Sequence, residues 1–371
     1  MRVRDFDFEL PVERIAQSPA PERDRARLYV LPLDGCPASH RTVADLPDLL
    51  SPGALLVVND TRVIPARLHG RKPTGGQVEL LLVEPRAIEP IGERIGDRFR
   101  ETWLCLGGAS KPLRPGQRIQ LDGERAPEAE ILSVDRQEVE VAFTGDDPGG
   151  LLEAAARIGQ IPLPPYIKRP EGPSTADADR YQTTYARVPG SVAAPTAGLH
   201  LTPAVFERLT ARGVERASVT LHVGLGTFAP IALPDDASID EIAALHTERY
   251  DIPAATATAV ARARAEGRPV IAVGTTTVRT LESAALDAPE GTAGVIRPGP
   301  GATRLFIRPG HRFRAVSGML TNFHLPRSTL LMLVAALAGR ERILSAYNDA
   351  VAHAYRFYSF GDAMLLQPKT T

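Results

Sequence analysis

The spacing of apolar and polar residues changes character twice along this chain. Residues 52–60, Pro-Gly-Ala-Leu-Leu-Val-Val-Asn-Asp, read as a turn feeding a buried strand that ends on two polar side chains, Asn59 and Asp60. From about 62 to 143 the apolar residues instead alternate in short runs, at 78–83, 102–106, 117–121, 130–134 and 138–143. Turns such as Gly75-Gly76, Gly107-Gly108 and Arg114-Pro-Gly116 separate these runs. Strands at this spacing without a helical period predict a small antiparallel barrel, inserted in a larger domain. A proline-rich stretch at 161–170 then reads as an extended connector or surface loop, whose Tyr166, Lys168 and Arg169 are able to touch RNA.

Beyond it the period alternates between strand and helix. Thr202-Pro203 is a cap and first-turn signal, and Val205, Phe206 and Leu209 form a helical face closed by Gly213. Ala217, Val219, Leu221 and Val223 alternate with Ser218, Thr220 and His222 as a strand. A helix at 254–266, a strand at 269–273 and a helix from about 278 to 286 follow. A last helix carries Ile343, Leu344, Tyr347, Val351 and Tyr355 on one face. The predicted fold is α/β, a mostly parallel sheet flanked by helices, with the small antiparallel β-barrel inserted. Residues 1–61 and 151–371 form the α/β catalytic domain and 62–150 the barrel domain.

Composition narrows the function classes. The 371 residues suffice for two domains, and 43 basic against 44 acidic residues leave no global field for a polyanion, so a nucleic-acid partner must be held by local patches. Cys36 and Cys105 form no Cys-x-x-Cys pair, and no metal site is expected. The first ten residues carry acids where a signal peptide needs an apolar core, and the apolar run from Leu330 to Ala338 is less than half of the roughly 20 residues of a membrane span. The expectation is a cytoplasmic protein with no membrane association.

Chemistry concentrates in five short blocks: Ala194-Pro-Thr-Ala-Gly-Leu-His200, Leu221-His-Val-Gly-Leu-Gly-Thr-Phe228, Gly274-Thr-Thr-Thr-Val-Arg-Thr-Leu-Glu282, Thr321-Asn-Phe-His-Leu-Pro326 and Phe360-Gly-Asp-Ala-Met364. Each joins glycine or proline to a hydroxyl, amide, His, Arg or acid where the chain is about to turn, which a core does not require. The turn from Val273 into Thr275, Thr276 and Thr277 presents free N–H groups at a helix start, suited to a carboxylate or phosphate. His222 precedes Gly224-Leu-Gly226, and this spacing imitates a dinucleotide fingerprint; Pro230 and Pro234 remove the helix that such a site needs. His246-Thr-Glu248 lacks the Pro-Cys-x-x-Cys of zinc deaminases and reads as an acid–base couple or a surface pair. Asn322 and His324 are pinned beside a buried helix. Asp362, between Gly361 and apolar residues, is either a turn aspartate or a desolvated acid, its pKa raised unless a cation pairs with it.

Together with Phe8-Glu-Leu-Pro11, Val58-Asn-Asp-Thr-Arg-Val-Ile-Pro-Ala-Arg67, Gly159-Gln-Ile-Pro-Leu-Pro-Pro-Tyr166 and Tyr181-Gln-Thr183, these blocks resemble the S-adenosylmethionine:tRNA ribosyltransferase-isomerase family of queuosine biosynthesis, nearly end to end. Leu201, Ser317 and His311 depart from the family pattern, none at a position expected to be catalytic. The resemblance implies transfer and isomerisation of the ribosyl part of S-adenosylmethionine onto 7-aminomethyl-7-deazaguanine at the tRNA wobble position. Epoxyqueuosine forms, and adenine and methionine leave. S-adenosylmethionine is then a co-substrate, with no permanently bound cofactor, no obligate protein partner and a monomeric chain expected.

That chemistry needs a base beside the sulfonium and an acid toward adenine. The candidates are His200, His222, His324, Glu248 and Asp362, with the assignment among them open. Gly274, Thr275, Thr276, Thr277 and Arg279 are expected to hold the methionine carboxylate, with Gly224, Gly226 and Asn322 also on the cofactor. The alternative for Arg279 is a structural pair with Glu282 one turn along. Asn59 and Asp60 are placed on the tRNA substrate, with two acid-free basic stretches: Arg62, Arg67, Arg71 and Lys72, then Arg304, Arg308, Arg312 and Arg314. Two rivals are an S-adenosylmethionine-dependent RNA methyltransferase, which lacks its Gly-rich fingerprint here, and a non-catalytic RNA-binding protein working through the barrel.

Overall fold

The computed structural model describes residues 1–86, 98–224, 234–242, 245–286 and 295–368. Among these a nine-stranded sheet runs in the order Gly299–Thr303, Glu248–Ile252, Glu215–Leu221, Leu55–Asn59, Val270–Val273, Gly318–Asn322, Ala363–Gln367, Arg27–Pro32 and Ser39–Thr42. The four strands from Glu215–Leu221 to Gly318–Asn322 are mutually parallel. Antiparallel pairings appear toward both margins, so the expected parallel sheet is its centre and the whole is mixed. Leu55–Asn59 is buried along its whole length because helices cover both of its faces, which is why it reads as an unbroken apolar run.

The register brings the carboxyl ends of the central strands to one edge, with Val219 opposite Asn59 and Val273 opposite Leu320. Thr61, His222, Gly274 and His324 therefore leave the sheet at that edge, where open α/β sheets bind ligands. The helix after Val270–Val273 begins at Thr275, three residues before the expected start. Gly274, at φ +89°, makes the turn directly, and the Thr277 hydroxyl donates to the Val273 carbonyl at 2.7 Å. Thr202 and Ser328 cap their helices through the N–H groups of Val205 and Leu331. The last helix, Arg340–Ala352, stops short of Tyr355, which is buried from the turn that follows.

The predicted barrel is present and closed, with six strands between Arg67 and Gly145. Leu80, Leu82, Cys105, Val139, Val141 and Phe143 fill it from alternate positions. The helix Gly150–Ile158 packs on its strands, and Arg67 exchanges backbone hydrogen bonds with Gln160. A two-stranded pairing of Thr61–Val63 with Val188–Ser191 joins the barrel entrance to the sheet edge. The insertion thereby places one barrel wall beside the carboxyl ends of the central strands.

Candidate active site

A narrow pocket with a cavity volume of about 50 Å³ opens at that edge. Its floor is Gly274, Thr275 and Thr276 at the start of a helix whose first N–H groups have no intrahelical acceptor. One wall is Thr321, Asn322 and His324, where Pro326 ends the strand, and a second is the segment from Ala194 to Ala197. Tyr166, Tyr358 and Ser359 close it, the two tyrosine rings edge-on at 3.9 Å and the Tyr166 hydroxyl bonded to that of Ser359. Tyr358 sits at φ +76°, a backbone conformation costly for a bulky residue and held here beside the pocket.

The polar groups around this pocket are ordered from behind. The Asn322 amide N–H₂ donates to His200 Nε2 at 3.3 Å and to the Tyr358 carbonyl at 3.1 Å. His200, accepting at Nε2, carries its proton on Nδ1. The buried Asn322 Oδ1 has no partner, an unmet acceptor on a residue that lines the pocket. His324 Nε2 is 2.9 Å from the Thr321 hydroxyl, and the His324 backbone N–H donates to the Tyr347 hydroxyl.

Burial sets the charge of the histidines. Desolvation lowers His200 to about 4 against a weaker opposing pull from Asp362, and lowers His324 to about 3. His222 is lowered too, again by burial, with Asp60 opposing. All three are neutral imidazoles at pH 7, able to accept a proton. A histidine whose folded pKa lies below its unfolded value stabilises fully above about 6.5 and loses that contribution as pH falls through the window down to its folded pKa. Stability is therefore expected to drop by several kcal/mol between pH 6.5 and 4 in urea titrations, and His200→Gln should flatten that slope.

Glu248 and Arg279, both 4% exposed, form an ion pair a step away from this pocket. Arg279 Nε also donates to the Leu305 carbonyl, while its buried Nη2 has no partner. The arginine thus pairs with Glu248 on a neighbouring strand and not with Glu282, which instead accepts the backbone N–H groups of Arg314, Ala315 and Val316. Gly224 donates its N–H to Glu248 at 3.4 Å, whereas Gly226 lies outside the described residues. Asp362 does have its cation: the carboxylate bonds the Arg356 guanidinium at 3.1 Å and the N–H groups of Arg27 and Arg356. It stands behind His200 as a structural anion.

The outer candidates are mostly engaged as well. Asn59 exchanges both side-chain hydrogen bonds with the backbone of Leu221, and Asp60 holds Arg187 and the Thr220 hydroxyl, so these two tie the sheet edge together. Arg62 donates to the Ala186 carbonyl, Lys72 to those of Lys111 and Pro112. Arg67 faces Glu79 and Arg308 faces Asp240, while Arg71 and Arg312 are exposed. Tyr166 belongs to the pocket, as does Thr196 of the block from Ala194 to His200; Tyr358 and Ser359 join it without having been singled out from the sequence. Among the described residues His40, Asp349 and His353 are grouped as a metal site would require, and none of them lines the pocket.

Comparison with known proteins bears on the whole chain. The model of a family described as "Queuosine biosynthesis protein" matches residues 3–366. An S-adenosylmethionine:tRNA ribosyltransferase-isomerase of Anaeromyxobacter sp. (strain Fw109-5) is 54% identical over 367 residues, 99% of each chain. A protein of the same name from Sorangium cellulosum (strain So ce56) is 51% identical over 379 residues, again 99% of each. The crystal structure of an S-adenosylmethionine tRNA ribosyltransferase from Thermotoga maritima superposes with a TM-score of 0.52 at 34% identity, covering 98% of this chain and 99% of that one.

Proposed function

Since this chain belongs to the family of queuosine biosynthesis proteins, we propose that the pocket at the sheet edge binds S-adenosylmethionine for ribosyl transfer to tRNA. The enzyme is an S-adenosylmethionine:tRNA ribosyltransferase-isomerase. It moves the ribosyl group onto 7-aminomethyl-7-deazaguanine at the wobble position, isomerises it to the epoxycyclopentanediol of epoxyqueuosine, and releases adenine and methionine. The observation that carries the site reading is the unmet Asn322 Oδ1 in the same pocket as the N–H groups of Thr275 and Thr276.

The roles follow from what each group has free. The methionine carboxylate is held by the helix start at Gly274–Thr276, where N–H groups and the helix dipole favour an anion. Arg279 acts one layer behind, fixing Glu248. Asn322 Oδ1 accepts from the amino or hydroxyl groups of the substrate. His324, a neutral imidazole on the pocket wall, takes the proton from the carbon next to the sulfonium. Methionine departs as a neutral thioether and needs no acid. The exposed Arg71 and Arg312 are the free cations of the two basic stretches, available to tRNA phosphates. No described helix is long and apolar enough to cross a membrane. We read the protein as a tRNA-modifying enzyme of the cytoplasm that works as a monomer without a permanently bound cofactor.

Incubated with S-adenosylmethionine and tRNA bearing the aminomethyl base, the protein is expected to release adenine and methionine in equal amounts, unaffected by chelator. S-adenosylhomocysteine as the only product would make it a methyltransferase.

A further inference from the structure

A second cavity lies between the barrel and the sheet edge, outside the pocket just described. Val83 and Trp103 form its barrel side, Gly190 and His222 its sheet side, and Val223 lines both this cleft and the first pocket. The two cavities therefore share a lining residue. We infer that this cleft seats the 7-aminomethyl-7-deazaguanine base, with His222 Nε2 accepting a proton from its ammonium group. The inference rests on the ribosyl-transfer reading and adds the place and activation of the nucleophile.

The chemistry requires such a group. A primary alkylamine is protonated at pH 7, as the lysine value of about 10.4 shows, and an ammonium has no electron pair with which to attack. The step balances simply. One ammonium N–H bond breaks, its proton goes to His222 Nε2, and its electron pair stays on nitrogen to form the new C–N bond to the ribosyl carbon. The imidazolium then returns the proton to solvent across the open cleft.

His222 is set for that task by its neighbours. His222 Nδ1 lies 2.8 Å from the Thr61 hydroxyl, whose second neighbour is the Val188 carbonyl at 3.5 Å. We take the tautomer in which Thr61 accepts from Nδ1–H, which puts the lone pair on Nε2. Gly190, at φ +139°, lies flat against this ring edge: a Cβ there would sit 3.1 Å from Nε2. A side chain at 190 would therefore crowd the Cε1–Nε2 edge of the ring, which glycine leaves unobstructed on this side.

The opposite wall suits a cationic base. Trp103, the one tryptophan of the chain, is 4% exposed and packed in the barrel core, yet it contributes to the cleft lining, where an aromatic ring suits a base. Its indole N–H donates to Glu101 at 2.9 Å, and the other Glu101 oxygen accepts the Leu151 N–H at 3.0 Å, which fixes the ring and leaves acceptor capacity on a carboxylate that lines the cleft. The charged groups around His222 are Asp60, neutralised by Arg187; Glu84, paired with Arg86 and Arg249; Glu248, paired with Arg279; and Glu101. Among the described residues Glu101 has no cationic partner, and so is the anion that favours an incoming ammonium.

Two measurements on the full chain test this. Trp103 emission should change when an anticodon stem-loop carrying the aminomethyl base is added, and should change less with the same stem-loop carrying guanine; equal responses overturn the placement. His222→Gln should bind S-adenosylmethionine within about twofold of wild type, yet release adenine at least 100-fold more slowly at pH 7. That deficit should shrink to within tenfold near pH 9.5, where roughly a tenth of the amine is already unprotonated without help. A deficit that is the same at every pH overturns the role of His222. Wild-type protein that releases no adenine would instead sink the ribosyl-transfer reading itself.

Discussion

Arg279→Ala is expected to cost the fold about 3–5 kcal/mol, the range for removing one partner of a buried ion pair. Both side chains are 4% exposed, so the truncation takes the cation from a largely buried Glu248 carboxylate at the edge of the cleft. The loss is one of desolvation left uncompensated rather than of the attraction itself. Removing both charges together, as in Glu248→Gln with Arg279→Met, should therefore recover most of it. Urea titration of the two single variants and the double variant closes the cycle: an Arg279→Ala variant within 1 kcal/mol of wild type would contradict the pairing. The consequence for catalysis is indirect. The pair couples the helix that opens the S-adenosylmethionine pocket to the strand that lines the neighbouring cleft, so its loss should loosen both cavities.

The same pair shows where sequence stops informing. Arg279 and Glu282 stand at helical spacing, the pairing that a linear reading suggests, yet the partner is Glu248, 31 residues away on another strand. The acid-free look of the basic stretches has the same origin. Arg67 meets Glu79 across a strand pair, and Arg308 meets Asp240 from a separate segment, so each cation finds its anion in three dimensions. Asp362 was closer to legible, since Arg356 precedes it by six residues in the same turn. The pocket tyrosines were not: Tyr166 and Ser359 touch across 193 positions, and nothing local marks Tyr358. What the periodicity did carry was the architecture, because alternation over short runs and fully apolar strands depend only on which faces are buried. Blocks at strand ends were legible as chemistry for a related reason. Asn322, His324 and Gly274 interrupt apolar sequence where the chain turns, and the parallel centre of the sheet then gathers those turns at one edge.

His324→Ala is expected to lower the rate of adenine release by about 10²–10⁴-fold, the usual worth of a positioned general base. His324 lines the pocket at the sheet edge, and burial keeps its ring at about 3, so it is a neutral group throughout the physiological range. The rate should consequently show no titration of this group between pH 5 and 9, unlike that of an enzyme whose base is an ordinary imidazole. S-adenosylmethionine affinity should change by less than threefold, because the ring takes a proton and the carboxylate is held elsewhere. His324→Gln keeps a partner for the Thr321 hydroxyl but cannot take up a proton, so it should be as slow as alanine; recovery by glutamine would reduce His324 to a positioning residue. Solvent deuterium gives the direct readout. Wild-type protein should exchange the hydrogen on the carbon next to the sulfonium when turnover is blocked, and His324→Ala should not. His200→Gln should still exchange it, since His200 is engaged through Nε2 with Asn322 and acts by orienting that amide. Exchange that survives in His324→Ala and disappears in His200→Gln would transfer the role of base to His200.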